Sequence, residues 1–361
     1  MTTSSSERPE RRVRRVLIAD DSDLMRSMLR EQITYSGDFE VVGEATTGYQ
    51  VIRMVHELDP HIITLDLAMP DLGGVEAIDY VLSQAPRPIV IVSAHDRSLA
   101  DPALNAMVSG AVEFVAKPNG SSIEEAGAFR VRLYQALRAA SVAHLLNLPR
   151  RRKLSQSRER RPHVGAPAAP CAVAIAASTG GPRALTEVVP RLPEDLPAAV
   201  FIVQHMPPLF TSAFARRLDQ MSALPVREVE QGEVVEEGVV YLARGGFHLD
   251  LQRDSAGVRI LLTEAPAMWN VRPAADVLFR AIARTFGPAS VGVVLTGMGR
   301  DGAEGLRAIG EVGGSTLAQD EESCVIASMP RAAAPFARRI LPVTELGDEI
   351  ARQAVLRARP G

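Results

Sequence analysis

From Val13 to about Ala140, short apolar runs alternate with stretches whose apolar residues recur at helical spacing. The runs are Val16–Ala19, Glu40–Gly43, Ile62–Leu65, Ile89–Val92 and Glu113–Ala116. Such alternation predicts a parallel sheet with helices on both faces, because a parallel strand is reached only through a crossover. The runs are mostly apolar, as strands covered on both faces should be. Between Ala140 and Pro170 the pattern dissolves into Arg150, Arg151, Arg152, Lys153 and a mix of Ser, Arg, Pro and Ala, which reads as a flexible basic tether. After Cys171 the alternation resumes, with strands at Ala172–Ala177 and Ala199–Val203 and helices from about Pro182 and over Ser212–Met221. A strand-rich stretch follows, covering Val226–Val229, Val239–Leu242, His248–Leu251 and Val258–Leu262. A helix at Ala274–Phe286, a strand at Val291–Leu295, a helix from Gly302 and two further segments complete the pattern. The expectation is two α/β domains with doubly wound parallel sheets, over residues 14–140 and 170–358, joined by a flexible linker at 141–169.

The length of 361 residues agrees with two domains, each able to bury a core. Apolar residues at 46% and charged residues at 23% exclude a wholly disordered or fibrous chain. A net charge of -3 argues against a protein that coats nucleic acid. No apolar run approaches the roughly 18 residues that cross a bilayer, and the charged N-terminus leads into no apolar signal segment. The chain is therefore expected to be cytoplasmic, without membrane insertion. Cys171 and Cys324 lack a Cys-x-x-Cys partner, so both read as core thiols, not as a disulfide framework or a zinc site.

Asp20 and Asp21 end the first run, Asp66 the third, and Lys117, followed by Pro118, the fifth. The carboxyl ends of parallel strands share one edge, so these side chains can converge there. Three carboxylates repel one another unless a hard cation such as Mg²⁺ relieves them, and lysine suits an added phosphate oxygen. With Met69-Pro70, Ser93 at the end of the fourth run and Phe114 ahead of Lys117, the first half resembles the receiver domain of bacterial response regulators, a flavodoxin-like fold. The resemblance implies Asp66 as phosphoacceptor, Asp20, Asp21 and Asp66 around Mg²⁺, and Ser93, Phe114 and Lys117 as the switch. Gly73-Gly74 stands where such domains commonly carry Asp-Gly.

Ser178 follows an apolar strand and precedes Thr179-Gly180-Gly181-Pro182, a strand-to-helix turn that exposes its hydroxyl. Glycines admit a substrate close to the backbone, and the free N–H groups of such a turn can hold an oxyanion or a phosphate. The phosphate-cradle signature G-x-x-x-x-G-K-[ST] and the G-x-S-x-G elbow are both absent. His205 ends the next strand, and Asp301 lies in Gly297-Met298-Gly299-Arg300-Asp301-Gly302. Taken alone, the histidine reads as structural and the aspartate as a helix N-cap. Together, each beyond a parallel strand's carboxyl end, they fill the roles of nucleophile, base and orienting carboxylate.

These motifs, with Gln204-His205-Met206-Pro207, Arg272-Pro273 before Asp276, Ala318-Gln319-Asp320 and Met329-Pro330, resemble the catalytic domain of CheB-type chemotaxis methylesterases, a Rossmann-like fold. Ala243-Arg244-Gly245 departs from the Ala-Pro-Gly of that family. The resemblance implies hydrolysis of glutamyl γ-methyl esters, and deamidation of glutamines, on the cytoplasmic helices of chemoreceptors. It implies Ser178, His205 and Asp301 as catalytic residues, Thr179 and Met298 N–H groups as the oxyanion hole, no metal for ester hydrolysis, and a chemotaxis histidine kinase as phosphodonor. Two rivals are a transcriptional regulator and a scaffold without activity. The output half is a full α/β domain, unlike a small helix-turn-helix, and all three candidate triad residues are present.

Overall fold

The computed structural model describes residues 13–94, 96–118, 122–144, 168–255 and 257–358. The N-terminal basic stretch and the run Arg150–Arg161 lie outside the described residues. The chain divides into two compact units, one around a five-stranded sheet and one around a seven-stranded sheet.

The first segment runs β1 (Arg14–Ala19), α1 (Asp23–Thr34), β2 (Phe39–Ala45), α2 (Gly48–Leu58), β3 (Ile62–Leu65), α3 (Gly74–Gln84), β4 (Ile89–Ser93), α4 (Arg97–Ser109), β5 (Glu113–Ala116) and α5 (Ile123–Val142). The strand order is β2-β1-β3-β4-β5, with β1 parallel to β2 and β3, and β3 parallel to β4. This is the flavodoxin-like order. β3 and β4 are buried along their whole length, which their continuous apolar character requires. Ser22, Thr47 and Asp96 cap α1, α2 and α4 by accepting a backbone N–H two or three residues ahead. The order reverses between β1 and β3, so the loops after them diverge and leave a crevice. The helix α5 continues to Val142, two residues past the expected domain limit.

The second segment runs β6 (Ala172–Ala177), α6 (Gly181–Val188), β7 (Ala199–Gln204), α7 (Pro208–Met221), β8 (Val226–Glu228), β9 (Val240–Leu242), β10 (His248–Asp254), β11 (Gly257–Thr263), α8 (Ala275–Phe286), β12 (Ser290–Val294), α9 (Ala303–Glu311), β13 (Ser315–Gln319), α10 (Ser328–Ala333), β14 (Arg339–Leu341) and α11 (Val343–Ala358). Seven strands form one parallel sheet in the order β14-β13-β12-β6-β7-β9-β8. Here the reversal lies between β6 and β12. The strand-rich stretch divides in two: β8 and β9 join this sheet, whereas β10 and β11 pair with each other as a separate antiparallel hairpin. α7 starts at Pro208, earlier than the apolar spacing predicts, because proline lacks the N–H that a first helical turn leaves unpaired. Structure also enters the expected linker at its far end, where Ala168 bridges to Glu236.

The core of this unit holds Phe201, Tyr241, Phe279, Leu278 and Leu306, all fully buried, with the Phe201 and Tyr241 rings stacked at 5.2 Å. Removing such side chains from water contributes about 1.5–3 kcal/mol each. That core fixes the sheet whose carboxyl edge carries the candidate chemistry.

Candidate active site

In the first unit, β1 delivers Asp20 and Asp21, β3 delivers Asp66 and β5 delivers Lys117 to one edge. Asp20 and Asp66 are buried, Asp21 is exposed, and one carboxylate oxygen from each lies within 4.8 Å of the others. This donor set, all oxygen with one side open, fits a hard divalent cation. The Lys117 ammonium reaches Asp20 Oδ2 at 2.7 Å and also pairs with Asp66 Oδ2. Burial works against its charge, but the bonds to Asp20 and Asp66 prevail and hold its pKa above the ordinary lysine value. Ser93 donates its hydroxyl to Asp66 Oδ1 at 2.6 Å, and Phe114 is buried. Gly74 has a local reason: a Cβ there would stand 2.3 Å from the Asp66 carbonyl oxygen.

In the second unit, the sheet register places the three other candidates. Ala177 and Gln204 are partners at the ends of β6 and β7, so Ser178 and His205 are neighbours just beyond them. The Ser178 N–H donates to the Thr296 carbonyl beyond β12, at 3.0 Å. The chain then turns sharply: the Gly181 N–H donates to the Ser178 carbonyl at 2.7 Å, and Gly180 takes φ +78°, where a Cβ would meet Val325 at 2.6 Å. The turn leaves the Ser178 side chain half-buried at the mouth of the crevice.

Asp301 is 2% exposed, and its Oδ2 lies 2.8 Å from His205 Nε2. A buried carboxylate there selects the tautomer protonated on Nε2, so Nδ1 carries the lone pair. The carboxylate is itself fixed by the first turn of α8, accepting the N–H groups of Ala275 at 2.6 Å and Asp276 at 2.9 Å. Among the described residues no hydrogen bond joins Ser178 Oγ to the imidazole, a distance that commonly closes only with substrate bound. The N–H groups of Thr179 and Met298, both in turns flanking Ser178, donate to no protein acceptor among the described residues.

Three supporting residues lay unassigned in the sequence. Asp276 is wholly buried, and its Oδ1 accepts the N–H groups of Gly302 at 3.1 Å and Gly305 at 2.6 Å, while its Oδ2 accepts the Trp269 indole N–H at 2.8 Å. Burial pushes its carboxyl up, against the donors that favour its charge. Asp276 and Asp301 thus anchor each other's helix, each binding the amino end of the helix that carries or follows the other. Gln204 donates its amide to the carbonyls of both Ser178, at 3.0 Å, and His205, at 3.1 Å. His248 on β10 accepts the Ala274 N–H on Nδ1 at 3.2 Å and faces the Pro266 carbonyl with Nε2 at 3.1 Å, fixing where α8 begins. The motif Arg272-Pro273 ahead of Asp276 was the available signal for the aspartate. Cys171 and Cys324 are buried and unpaired, and burial pushes both thiols up to about 12.

Both halves of the chain match known protein families. Residues 173–350 match the CheB methylesterase model and residues 16–126 the response regulator receiver domain model. A protein-glutamate methylesterase/protein-glutamine glutaminase of Pyrococcus horikoshii is 40% identical over 88% of this chain and 87% of its own length. One from Symbiobacterium thermophilum is 40% identical over 96% of this chain and 98% of its own. The crystal structure of the Thermotoga maritima CheB methylesterase catalytic domain, 40% identical, covers 50% of this chain and 97% of that one with a TM-score of 0.50. With a receiver sheet ahead of a matching catalytic sheet, and relatives aligned over nearly their whole length, the chain belongs to the CheB methylesterase family.

Proposed function

We propose that the chain is a protein-glutamate methylesterase and protein-glutamine glutaminase that acts on the cytoplasmic helices of chemoreceptors, in chemotaxis adaptation, under control of phosphorylation at Asp66. The observation that carries the catalytic part is the 2.8 Å contact between His205 Nε2 and the buried Asp301 carboxylate, one position from Ser178 across the sheet.

In this reading Ser178 Oγ attacks the γ-carbonyl of the target side chain and passes its proton to His205 Nδ1. Asp301 stabilises the imidazolium that forms, and the N–H groups of Thr179 and Met298 stabilise the oxyanion. Collapse breaks the bond to methoxide, or to the amide nitrogen, and the imidazolium protonates that group as methanol or ammonia. Water, deprotonated by His205, then attacks the acyl-serine, releasing glutamate and restoring Ser178. No step requires a metal.

The remaining assignments rest on the two family matches. The receiver domain lies in 14–142 and the catalytic domain in 168–358, in a cytoplasmic protein that inserts in no membrane and binds no nucleic acid. A chemotaxis histidine kinase supplies the phosphoryl group to Asp66. Mg²⁺, held by Asp20, Asp21 and Asp66, supplies positive charge for that transfer when bound. Lys117 and Ser93 meet the added phosphate oxygens, and Phe114 carries the change to the surface.

The experiment compares methanol release from methylated receptor by the full-length chain before and after treatment with a small phosphodonor and Mg²⁺. A coupling of about 1–3 kcal/mol predicts a rise of roughly 5- to 150-fold, absent in Asp66→Ala. An unchanged rate in the wild type, with Asp66 phosphorylation verified by mass, contradicts control through Asp66.

A further inference from the structure

The loops around the triad hold two arginines and a tryptophan that the chemistry above leaves unused. Arg300, next to Asp301, has its side chain 57% exposed, and among the described residues its ion-pair contact is Glu304 at 3.9 Å. Its guanidinium carbon stands 5.0 Å from the centre of the Trp269 ring. Arg244 is exposed on the loop after β9, over the ring of Phe247 at 5.4 Å, with no carboxylate in ion-pair range among the described residues. That loop is seated against the residues just after His205, since a Cβ on Gly245 would come within 2.8 Å of the Met206 carbonyl and 2.7 Å of Pro208. The arginines therefore flank the triad, Arg244 on the His205 side and Arg300 on the Asp301 side.

The loops are braced together. Arg272 holds the carbonyls of Glu264 and Ala265 at 2.8 and 3.0 Å, and its own carbonyl accepts the Gly246 N–H at 3.1 Å. Trp269 and Asn270 both lie in the left-handed region, at φ +56° and +61°, uncommon for a bulky side chain. The indole N–H bond to Asp276 holds that conformation while 45% of Trp269 stays exposed. Strained, exposed and pinned from below, the ring is presented to whatever occupies the crevice. Arg244, without a carboxylate in ion-pair range among the described residues, and Arg300, with a long 3.9 Å contact to Glu304, favour an anionic occupant, and a planar fork suits carboxylates.

We propose that Arg244, Arg300 and Trp269 form a rim that binds a carboxylate-bearing segment of the protein substrate, next to the glutamyl ester being hydrolysed. The proposal rests on the methylesterase reading and adds what the enzyme recognises around its target: neighbouring Glu or Asp side chains.

Two synthetic peptides test it, each with one glutamyl γ-methyl ester, one flanked by Glu and the other by Gln. Full-length enzyme is assayed for methanol release and, separately, for the fluorescence of Trp269, the single tryptophan of the chain, as each peptide is added. An exposed ion pair is worth about two- to fivefold in affinity, so the Glu peptide should be preferred in kcat/KM, and each of Arg244→Gln and Arg300→Gln should lower that preference by about two- to fivefold. Arg300→Lys should restore part of it, and salt should erase it. Equal use of both peptides by the wild type, or a preference that survives both substitutions together, overturns the rim. A DNA oligonucleotide that shifts the fluorescence at lower concentration than the Glu peptide, through the same arginines, also overturns it. If neither peptide releases methanol while the fluorescence still favours the Glu peptide through both arginines, the methylesterase reading fails and the rim stands.

Discussion

Asp301→Asn separates the two tasks of the triad carboxylate. Among the described residues Oδ2 serves both His205 and the Ala275 N–H, whereas Oδ1 serves the Asp276 N–H. An asparagine there does best with its oxygen in the Oδ2 position, which keeps the imidazole tautomer and turns its NH₂ against the Asp276 N–H. One buried donor then loses its acceptor, for about 1–3 kcal/mol of stability. Catalysis loses the charge that faces the imidazolium. At about 4 Å and an effective dielectric near 20, that attraction is roughly 4 kcal/mol, reduced somewhat by the solvent that reaches the ring. The expected fall in kcat is therefore about 10²- to 10³-fold. KM should change little, because Asp301 is buried away from substrate. Steady-state methanol release gives both constants, and denaturant unfolding gives the stability. A kcat within about threefold of wild type would refute the reasoning, since the charge would then contribute under 1 kcal/mol to the transition state.

Glu349 is 7% exposed and is drawn down to about 2 by its bonds to Arg352, assisted by Gln353 and Arg339. A depressed carboxylate stabilises the fold above its unfolded pKa of about 4.3, and that contribution is lost as pH falls toward 2. Arg339 and Arg352 are half-exposed, so solvent screening leaves about 1–2 kcal/mol of it. Glu349→Gln should thus be less stable than wild type near pH 7, with the gap narrowing by about pH 3; a gap that stays constant would contradict the pairing. Cys171 and Cys324, with thiols held at about 12, should resist a thiol-reactive dye in the folded chain and react on unfolding. Rapid labelling of the native protein would contradict their burial.

The residues legible in the sequence share one property. Asp20, Asp21, Asp66 and Lys117 in one half, and Ser178, His205 and Asp301 in the other, all follow apolar strands, and a parallel sheet brings strand ends together. What was not legible depends on partners far along the chain. Asp276 is anchored by N–H groups 26 and 29 residues away, and no local pattern records such a bond. Gln204 closes β7 in the structure, and only the register with β6 shows that its amide spans the Ser178 and His205 carbonyls. The β10–β11 hairpin has the strand composition of its neighbours. Its separation from the main sheet follows from pairing, which alternation does not encode. The proline at the start of α7 did carry a usable signal, but apolar spacing alone places the helix later.

The central claim is that Ser178 is the nucleophile of a serine esterase on the second sheet, and it is tested most directly by methanol release from methylated receptor by Ser178→Ala beside the wild type. The substitution removes one half-buried hydroxyl at a turn held by backbone bonds, so the circular dichroism spectrum and unfolding midpoint should match the wild type. Loss of a triad nucleophile predicts a fall of about 10⁴- to 10⁶-fold in turnover. Retention of more than about a few per cent of the wild-type rate by the folded variant would contradict the claim, because no displaced water or neighbouring group restores a lost nucleophile to that level.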